Sequence, residues 1–514
     1  GYFLRGLNLA ALAHPAVIDH YLSTTVADAQ LVIVRLLGGR GHWGYGLEQL
    51  QLWASRRPGR QLVVLAGTAD EDQALAELGT VMPAFAIAQA ECFRLGGPAN
   101  LRQVLAGWDA LCQGLEPALP SPVPLGDPLA HDWRQEPGAR VGVVAYRSWH
   151  QAQDNGVMDA ILDALRDQGL CPRALWVSGL RDRAVQQGVG DLLEREGVEA
   201  VLCTTSFASV QSDEAGLGAP LWERLAVPVF QVLCSGLARS QWQNNSIGLG
   251  PMDLTLQVAL PELDGRITTR VGAFKEQRRN SDRLVSALAH YEADPERLSW
   301  IAQLTGRWIH LRRTPAPQRH VALVLANYPT RNSRLANGVG LDTPASAALI
   351  LQWLQQAGYT LDGPDGSPAQ LPKDGQALIE ALLATRTNDA ESDHRPPLGW
   401  LSLKSYRAWY DALPEEGRQQ LEAIWGPPER DQGLEEEGFA IRGLQVGHVA
   451  LLIQPERGYD RDPSLSYHSP DLPPTHAYLA QYLWLRQQFG ADVVVHVGKH
   501  GNLEWLPEIG RAHV

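Results

Sequence analysis

Cysteine and positive charge are both scarce in this chain of 514 residues. Its five cysteines include no C-x-x-C pair, which argues against a cysteine-based zinc site or a disulfide framework and fits a reducing cytosol. Lysine and arginine number 44 against 57 aspartates and glutamates, so the formal net charge is −13. Because nucleic-acid binding requires a basic patch, we expect no nucleic-acid partner.

Long hydrophobic runs and a phosphate-binding motif are also missing. No apolar stretch approaches the ~18 residues needed to cross a bilayer, so we expect no membrane span. No G-x-x-x-x-G-K-[ST] pattern occurs, and we therefore expect no ATPase activity in this chain. The 45% hydrophobic and 20% charged content are those of an ordinary globular protein, and the length allows about three or four domains.

Short apolar segments alternate with helical segments along the chain. The pattern predicts strands at 31–37, 61–65, 141–145, 174–177, 200–203, 227–233, 321–325 and 449–453. Strand–helix alternation of this kind predicts an α/β protein with several doubly wound parallel-sheet (Rossmann-like) domains. The predicted division is an α/β domain at 1–115, a Pro-rich linker at 116–138, a second α/β domain at 139–318 and a third α/β region at 319–507.

The stretch 454–507 has the highest density of reactive side chains, most of them in segments punctuated by glycine and proline. These side chains are Arg457, Asp460, Asp462, His468, Asp471, His476, His496, Lys499, His500 and Glu504. Loops held by a rigid scaffold are where chemistry usually lies, so this stretch is the candidate site.

A metal site is one interpretation of the end of this stretch. The run 491–497 predicts a short buried parallel strand, with His496 near its carboxyl end and His500 and Glu504 following. Two glycines argue against a helix, so a loop must bring the three side chains together. Two imidazoles and a carboxylate suit Co²⁺, Zn²⁺ or Fe²⁺. The alternative is a hydrogen-bonded strand histidine followed by ordinary polar residues.

A helix is predicted before that strand. Thr475 is the expected N-cap and Gly490 the expected stop, and the aromatic stripe between them is interpreted as core packing. Helix, strand and loop together form an α/β unit, which places the loop 457–471 near the loop 496–504.

Two long motifs carry a resemblance to a known family. QPERGYDRDPSLSYHSPDLPPTHAYLAQYLWLR followed by VVVHVGKHGNLEWLP, and LVLANYPTRNSRLANGVGLDTP upstream, closely resemble CobN-type large subunits of aerobic cobaltochelatase. That family is shared with the porphyrin-binding component of magnesium chelatase, its H-type large chain. Lys499, Asn502 and Trp505 look like the cobalt branch.

The resemblance implies a cytoplasmic ligase that forms nitrogen–metal bonds. The large subunit of the family binds the tetrapyrrole and the metal, while separate AAA+ subunits use ATP and Mg²⁺. In the cobalt branch Co²⁺ is the substrate metal, and it enters hydrogenobyrinic acid a,c-diamide on the way to cobalamin. The alternatives are a magnesium chelatase H-type chain acting on protoporphyrin IX, or a tetrapyrrole-binding scaffold without chemistry.

Roles follow for individual residues. His500 and Glu504 are the expected catalytic pair, and His496 joins them as a metal ligand. Arginine binds peripheral carboxylates in a bidentate manner, which makes the arginines clamp candidates for an anionic ring. The expected substrate-binding residues are Arg331, Arg334, Arg457, Tyr459, Asp460, His468 and Lys499.

Both ends of the chain depart from the family pattern. The chain begins at Gly1, within a motif, and is much shorter than a complete large subunit, so we interpret it as an N-terminal fragment that is inactive alone. Residues 508–514 (EIGRAHV) replace the family's Gly-Lys continuation, and we interpret them as a non-native tail.

Overall fold

The computed structural model describes residues 3–213, 216–244, 248–281, 284–327, 331–338, 340–363, 367, 369–458 and 472–498. The chain divides into two compact units. Unit 1 comprises Gly1–Asn245 and Leu249–Gln303, and unit 2 comprises Ser246–Gly248 and Leu304–Val514. Every helix in the described ranges is too short or too polar to traverse a lipid bilayer.

Unit 1 contains a two-stranded parallel sheet and a seven-stranded mixed sheet, in the order β1-β2 and β11-β10-β9-β6-β4-β5-β3. A short antiparallel pair, β7 and β8, stands apart from both. The strands are β1 (Leu31–Leu36), β2 (Gln61–Ala66), β3 (Leu129–His131), β4 (Arg140–Tyr146), β5 (Cys171–Val177), β6 (Ala200–Cys203), β7 (Gln211–Asp213), β8 (Gly216–Gly218), β9 (Val229–Ser235), β10 (Ile267–Ser281) and β11 (Ser286–Ala293).

The helices that follow these strands cover the sheets. They are α1 (Pro15–Thr24), α2 (Gly44–Ser55), α3 (Asp72–Ala76), α4 (Pro83–Leu95), α5 (Gly97–Cys112), α6 (Arg147–Gln151), α7 (Gly156–Asp167), α8 (Arg183–Glu196), α9 (Pro220–Leu225), α10 (Arg239–Asn244), α11 (Pro251–Asp253), α12 (Leu260–Glu262) and α13 (Pro295–Arg313), whose residues after Gln303 belong to unit 2. A π-helical segment, Leu254–Ala259, lies between α11 and α12.

The structure confirms the strands predicted for this unit. All six predicted strands are present, and β1 and β2 pair in parallel as expected. The central strands of the larger sheet are parallel, whereas β3 and β11 are antiparallel additions that the sequence pattern did not reveal. Because β3 lies within 116–138, the predicted linker includes an edge strand. The finer division at 1–115, 116–138 and 139–318 stays a proposal.

Unit 2 is built on a four-stranded sheet with the order β16-β17-β12-β18, beside a three-stranded sheet with the order β13-β15-β14. Its strands are β12 (Val321–Leu325), β13 (Gly399–Leu401), β14 (Leu434–Glu435), β15 (Gly438–Ile441), β16 (Gly443–Val446), β17 (Val449–Ile453) and β18 (Val493–Val497). Its helices are α14 (Thr343–Gln356), α15 (Gly375–Leu383), α16 (Leu403–Tyr410), α17 (Glu415–Trp425) and α18 (His476–Trp484), the last continued by a π-helical segment, Leu485–Phe489.

Alternation along the central strand β12 explains why helices cover both faces of this sheet. Val321, Leu323 and Leu325 pack with α14 and α15 in one core. Ala322 and Val324 point the other way and pack with α16, α17 and α18 in a second core. Successive side chains of a strand face opposite sides, so an entirely apolar strand requires cover on both. The doubly wound prediction is confirmed here.

The local signals around the last strand are confirmed in part. Thr475 caps α18 by accepting from the amide of Tyr478, and Gly490 ends the helical segment in the left-handed region, at φ 67°. β18 pairs in parallel with β12, as predicted. The prediction of a buried strand is wrong for Val494 and Val495, which are 41% and 37% exposed, because β18 is the edge strand of the described sheet.

A buried ion pair braces the carboxyl side of the larger sheet in unit 1. The Arg266 and Asp264 side chains are fully buried, with Nη2 and Oδ2 2.6 Å apart. The Asp264 carboxylate also accepts from the amide and hydroxyl of Ser209 and from Trp222 Nε1. The Arg266 guanidinium donates to the carbonyl of Thr205, at 2.9 Å. The pair therefore holds the chain that leaves β6.

We expect Asp264→Asn to lower the free energy of unfolding of unit 1 by about 3–5 kcal/mol, because it leaves the Arg266 charge buried without its counterion. Amide hydrogen exchange of β6 and β9 under increasing urea measures this loss. Glu48→Gln is the matched control, because the Arg40–Glu48 pair is 3.9 Å long and 60% exposed on each side. Equal protection in the two variants would contradict a stabilising role for the buried pair.

Candidate functional site

Three chain segments leave the sheet of unit 2 at the same edge. β17, β12 and β18 are adjacent and parallel, so their last residues, Ile453, Leu325 and Val497, lie side by side in register. The segments that follow begin at positions 326, 454 and 498. In open α/β sheets ligands bind at the carboxyl ends of the strands, which makes this edge the candidate site.

Four of the predicted site residues lie in the described part of the chain: His496, Arg331, Arg334 and Arg457. The others lie outside the described residues, and they are Tyr459, Asp460, His468, Lys499, His500 and Glu504. Among the described residues no three His, Cys, Asp or Glu side chains form a group that could hold a metal ion. The proposed convergence of His496, His500 and Glu504 therefore stays a prediction.

His496 is placed by its strand register and by a stacked tyrosine. It lies opposite Val324 of β12, one residue before the end of β18. Its half-buried ring is nearly parallel to that of Tyr482, with an interplanar angle of 10° and centroids 6.0 Å apart. Its Nε2 lies 3.4 Å from the Tyr482 hydroxyl.

The Tyr482 hydroxyl links His496 to the loop after β17. It donates to Gln454 Oε1 at 3.1 Å and lies beside His496 Nε2. A hydroxyl that contacts one ring nitrogen fixes the orientation of the imidazole ring, as partners of metal-binding histidines do.

Gln454 is the first residue after β17 and is 2% exposed. Its carbonyl accepts from Asn388 Nδ2 at 2.7 Å, and its amide donates to the Leu325 carbonyl. Its side-chain Nε2 has no hydrogen-bond partner within the described residues. A buried donor without a partner costs about 1–3 kcal/mol, and it is satisfied when a ligand oxygen approaches.

The segment 385–395 joins the loop after β12 to the loop after β17. Asn388 Nδ2 donates to Asn327 Oδ1 at 2.9 Å as well as to the Gln454 carbonyl. Thr387, which is 1% exposed, donates its hydroxyl to Asn332 Oδ1 at 2.8 Å. The amide of Asn332 donates to Asp389 Oδ2. These bonds fix the spacing of the two loops.

Two buried guanidinium groups, those of Arg386 and Arg442, hold this segment in place. Arg386 is 6% exposed and forms ion pairs with Asp393 and Glu435 at 3.1 and 2.7 Å. Arg442 donates its Nε to the Thr387 carbonyl at 2.9 Å. Burial lowers the pKa of Arg442, and the nearby Arg386 charge lowers it further. The Asp393 and Glu435 carboxylates balance the Arg386 charge, so these groups act as buried supports of the segment.

Arg331 precedes a 3₁₀ turn, Asn332–Arg334, in the loop after β12, and Arg334 is the last residue of that turn. Both side chains are exposed, and within the described residues neither guanidinium forms an ion pair. The turn is anchored because the Arg331 carbonyl accepts from Asn327 Nδ2 at 3.1 Å. The backbone is thus held while the two charged groups remain available to a ligand.

Arg457 has a different environment. It is 5% exposed, and its Nη2 donates to the Leu472 carbonyl at 2.7 Å. Thr475 adds a second link by donating to the Glu456 carbonyl at 3.2 Å. Arg457 therefore holds together the two described ends that flank residues 459–471.

His476 belongs to the core. It is 0% exposed, its Nδ1 lies 2.8 Å from the Tyr406 hydroxyl, and its Nε2 lies 2.9 Å from the Gly426 carbonyl. Since the carbonyl can only accept, Nε2 carries the proton and Nδ1 accepts from Tyr406. Burial raises the pKa of Tyr406, which keeps this hydroxyl protonated. Both nitrogens are used, so His476 serves packing.

The sequence patterns missed the residues that organise the site. The sequence could have pointed to Asn327 and Gln454, because each is the first residue with a side-chain amide after an apolar strand. Asn388 carried none, since it lies 61 residues from Asn327 in the chain. Tyr482 belongs to the aromatic stripe interpreted as core packing, yet its hydroxyl and ring face His496.

Comparison with known proteins identifies the family that this chain is similar to. A family model described as CobN/Magnesium Chelatase matches residues 91–513. The chain is 41% identical to the aerobic cobaltochelatase protein CobN of Pseudomonas aeruginosa, over 99% of this chain and 41% of that protein. It is 26% identical to the H-type chain of magnesium chelatase from Rhodobacter capsulatus, over 74% of this chain and 32% of that protein.

A solved structure extends the comparison to the fold. The catalytic subunit of cobaltochelatase from Mycobacterium tuberculosis is 34% identical, with a TM-score of 0.74, over 95% of this chain and 41% of that one. The chain thus spans about two fifths of the length of the cobaltochelatase relatives it matches.

We expect Tyr482→Phe to change the environment of the His496 ring nitrogens while leaving the fold intact, because only one hydroxyl is removed. Side-chain ¹⁵N NMR above the ordinary histidine pKa reports which ring nitrogen carries the proton. Tyr406→Phe is the matched control, and it should change the signals of His476 instead. An unchanged His496 spectrum in Tyr482→Phe would refute a hydrogen bond between Tyr482 and His496.

Proposed function

We propose that the chain, which belongs to the CobN/magnesium chelatase family, is part of the large subunit of a cobaltochelatase. In this proposal Co²⁺ and a tetrapyrrole are both bound by the large subunit, and the reaction forms metal–nitrogen bonds. The substrate ring is hydrogenobyrinic acid a,c-diamide. The observation that carries the proposal is the meeting of three loops at one sheet edge, where the His496 ring is stacked on that of Tyr482.

The choice of cobalt over magnesium rests on similarity. Identity to the two CobN relatives is 41% and 36% over 99% of this chain, against 26–28% over 70–76% for the H-type chains of magnesium chelatase. The ligand chemistry points the same way, because imidazole suits Co²⁺ whereas Mg²⁺ prefers oxygen ligands and retains its water.

Metal insertion requires that the ion lose water and that ring nitrogens lose protons. We assign His496, His500 and Glu504 to the metal. His500 and Glu504 also serve as bases, since histidine and glutamate are suited to proton transfer near neutral pH. The Nε2 of Gln454 supports the proposal that an acceptor group of the substrate reaches this edge.

The anionic ring requires cations on the same edge. Arg331 and Arg334 suit this role because both are exposed, lack an ion pair within the described ranges and extend from an anchored turn. Lys499, Tyr459, Asp460 and His468 keep their proposed substrate contacts. Arg457 acts as a positioning residue in this proposal, because its guanidinium is bonded to Leu472.

Partners and compartment complete the proposal. ATP hydrolysis is assigned to separate AAA+ subunits, which use Mg²⁺, and not to this chain. All five cysteines of the chain are free, and four are buried, which supports a reducing compartment such as the cytoplasm.

His500→Ala and Glu504→Ala should each slow cobalt insertion by about 10²-fold or more, because each removes a metal ligand that also acts as a base. The assay is a full-length large subunit with its AAA+ partners, ATP and Co²⁺, followed by the absorbance of the corrinoid. His20→Ala and Glu416→Ala replace exposed residues and serve as controls. Wild-type rates in either site variant would reject the metal assignment.

Arg331→Gln and Arg334→Gln should each weaken binding of the corrinoid by about tenfold or more, as expected for loss of a charge-assisted hydrogen bond. Quenching of tryptophan fluorescence measures the affinity, and Arg486→Gln, at an exposed position, is the control. Tighter binding of protoporphyrin IX than of the corrinoid would favour the magnesium branch. Ring binding without metal insertion in the complete system would favour a scaffold.

A further inference from the structure

The larger sheet of unit 1 reverses its winding direction at β4. From β4 the chain passes to β5 on one side, then crosses to β6 on the other side and continues outward to β9 and β10. In doubly wound sheets the connections on either side of such a reversal leave a crevice at the carboxyl ends of the strands. The site proposed above belongs to unit 2, whereas this crevice is formed by strands of unit 1.

A cleft of about 340 Å³ occupies this position. Its walls come from the end of β4, the segment after β5 and the segment after β6, and they include Tyr146, Ser178, Leu180, Arg181, Ser206 and Phe207. Small-molecule pockets span roughly 300–1,000 Å³, so this volume suits a small ligand of mononucleotide size.

Phe207 is held in an unfavourable backbone conformation at the rim of this cleft. Its φ is +67°, in the left-handed region, and its side chain is 44% exposed. Its amide donates to the Leu256 carbonyl at 2.9 Å, and its carbonyl accepts from Arg266 Nη2 at 3.3 Å. Strained residues persist where the surroundings impose them, and they cluster at ligand sites. Here the strain presents an aromatic face to solvent.

Buried polar groups hold the cleft walls at a fixed separation. Gln186, which is 6% exposed, donates its side-chain amide to the carbonyl of Ser209 at 2.7 Å and to that of Leu180. The Tyr146 hydroxyl donates to the Ser206 carbonyl at 2.8 Å, and burial raises the pKa of Tyr146 to about 12, so this donor stays protonated. Together with the Arg266–Asp264 pair, these bonds form the cleft in advance of any ligand.

The charge available to a ligand is that of Arg181. Its side chain is exposed, and within the described residues its guanidinium forms no ion pair. The neighbouring Asp182 carboxylate caps α8 by accepting from the amides of Ala184 and Val185. Arg183 donates to Gln211 Oε1 at the start of the same helix. Because the Asp182 carboxylate is engaged by amides of α8, Arg181 is the cation of the cleft lining that a ligand phosphate can reach.

We propose that this cleft binds a mononucleotide-sized ligand, with a planar heteroaromatic ring packed on Phe207 and Tyr146 and a phosphate held by Arg181. Flavin mononucleotide and adenosine monophosphate share this chemistry and differ in the ring. The test therefore uses both, each paired with its form that lacks phosphate, riboflavin and adenosine.

Titration of the full chain with these four compounds, followed by calorimetry, tests the phosphate contact. At least one phosphorylated compound should bind about tenfold more tightly than its unphosphorylated partner, the increment of a charge-assisted hydrogen bond. Arg181→Gln should remove that ratio, and Arg102→Gln, at an exposed position on α5 of the same unit, should preserve it. No saturable binding of any compound at millimolar concentration would overturn the proposal.

Phe207→Gly separates the ring contact from folding. Glycine adopts a positive φ without strain, so the variant should unfold at no lower temperature, yet bind all four compounds about tenfold more weakly. Ala226→Gly is the matched control, because Ala226 also has a positive φ, of 49°, in this unit and lies outside the cleft lining. Undiminished binding by Phe207→Gly would overturn the proposal.

Discussion

The parallel pairing of β12 with β17 on one side and β18 on the other is the constraint from which the chemistry of unit 2 follows. Val321 lies opposite both Val449 and Val493, so the backbone hydrogen bonds bring the three strands to an end at one level. The strand interiors are apolar and helices cover both faces of β12, which leaves the carboxyl edge as the place where polar side chains collect. A shift of register would separate His496 from Tyr482 and Gln454.

Both units stabilise their loops with buried polar groups as well as with apolar contacts. In unit 2, Asn388 bonds to the two loops that leave β12 and β17. In unit 1, Gln186 and the Arg266–Asp264 pair do the same for the segments after β5 and β6. Such groups are expensive to bury, and their geometry is directional, so each permits one loop position. A site built on them is formed before its ligand arrives.

Sequence patterns predicted the local features well and the assembly less well. The strands and the caps at Thr475 and Gly490 follow from burial period and backbone preference, which act over a few residues. His496 was expected at a strand end and lies there. The hydrogen bond that orients it comes from Tyr482. The spacing of the aromatic residues could not reveal this contact, because the same ring also packs in the core.

The amino-acid sequence by itself determined the α/β class, the strands of the two main sheets apart from β3, β10, β11 and β16, and, through its long motifs, the chelatase family. Only the tertiary structure decided the order of strands, the exposed edge at β18, the inward position of Arg457 and the place of Asn388 beside Asn327. The reason is the range of the forces. Period and capping are properties of neighbouring residues, whereas strand order and loop bracing arise from pairings between residues that lie far apart in the chain and meet only when the whole core is packed.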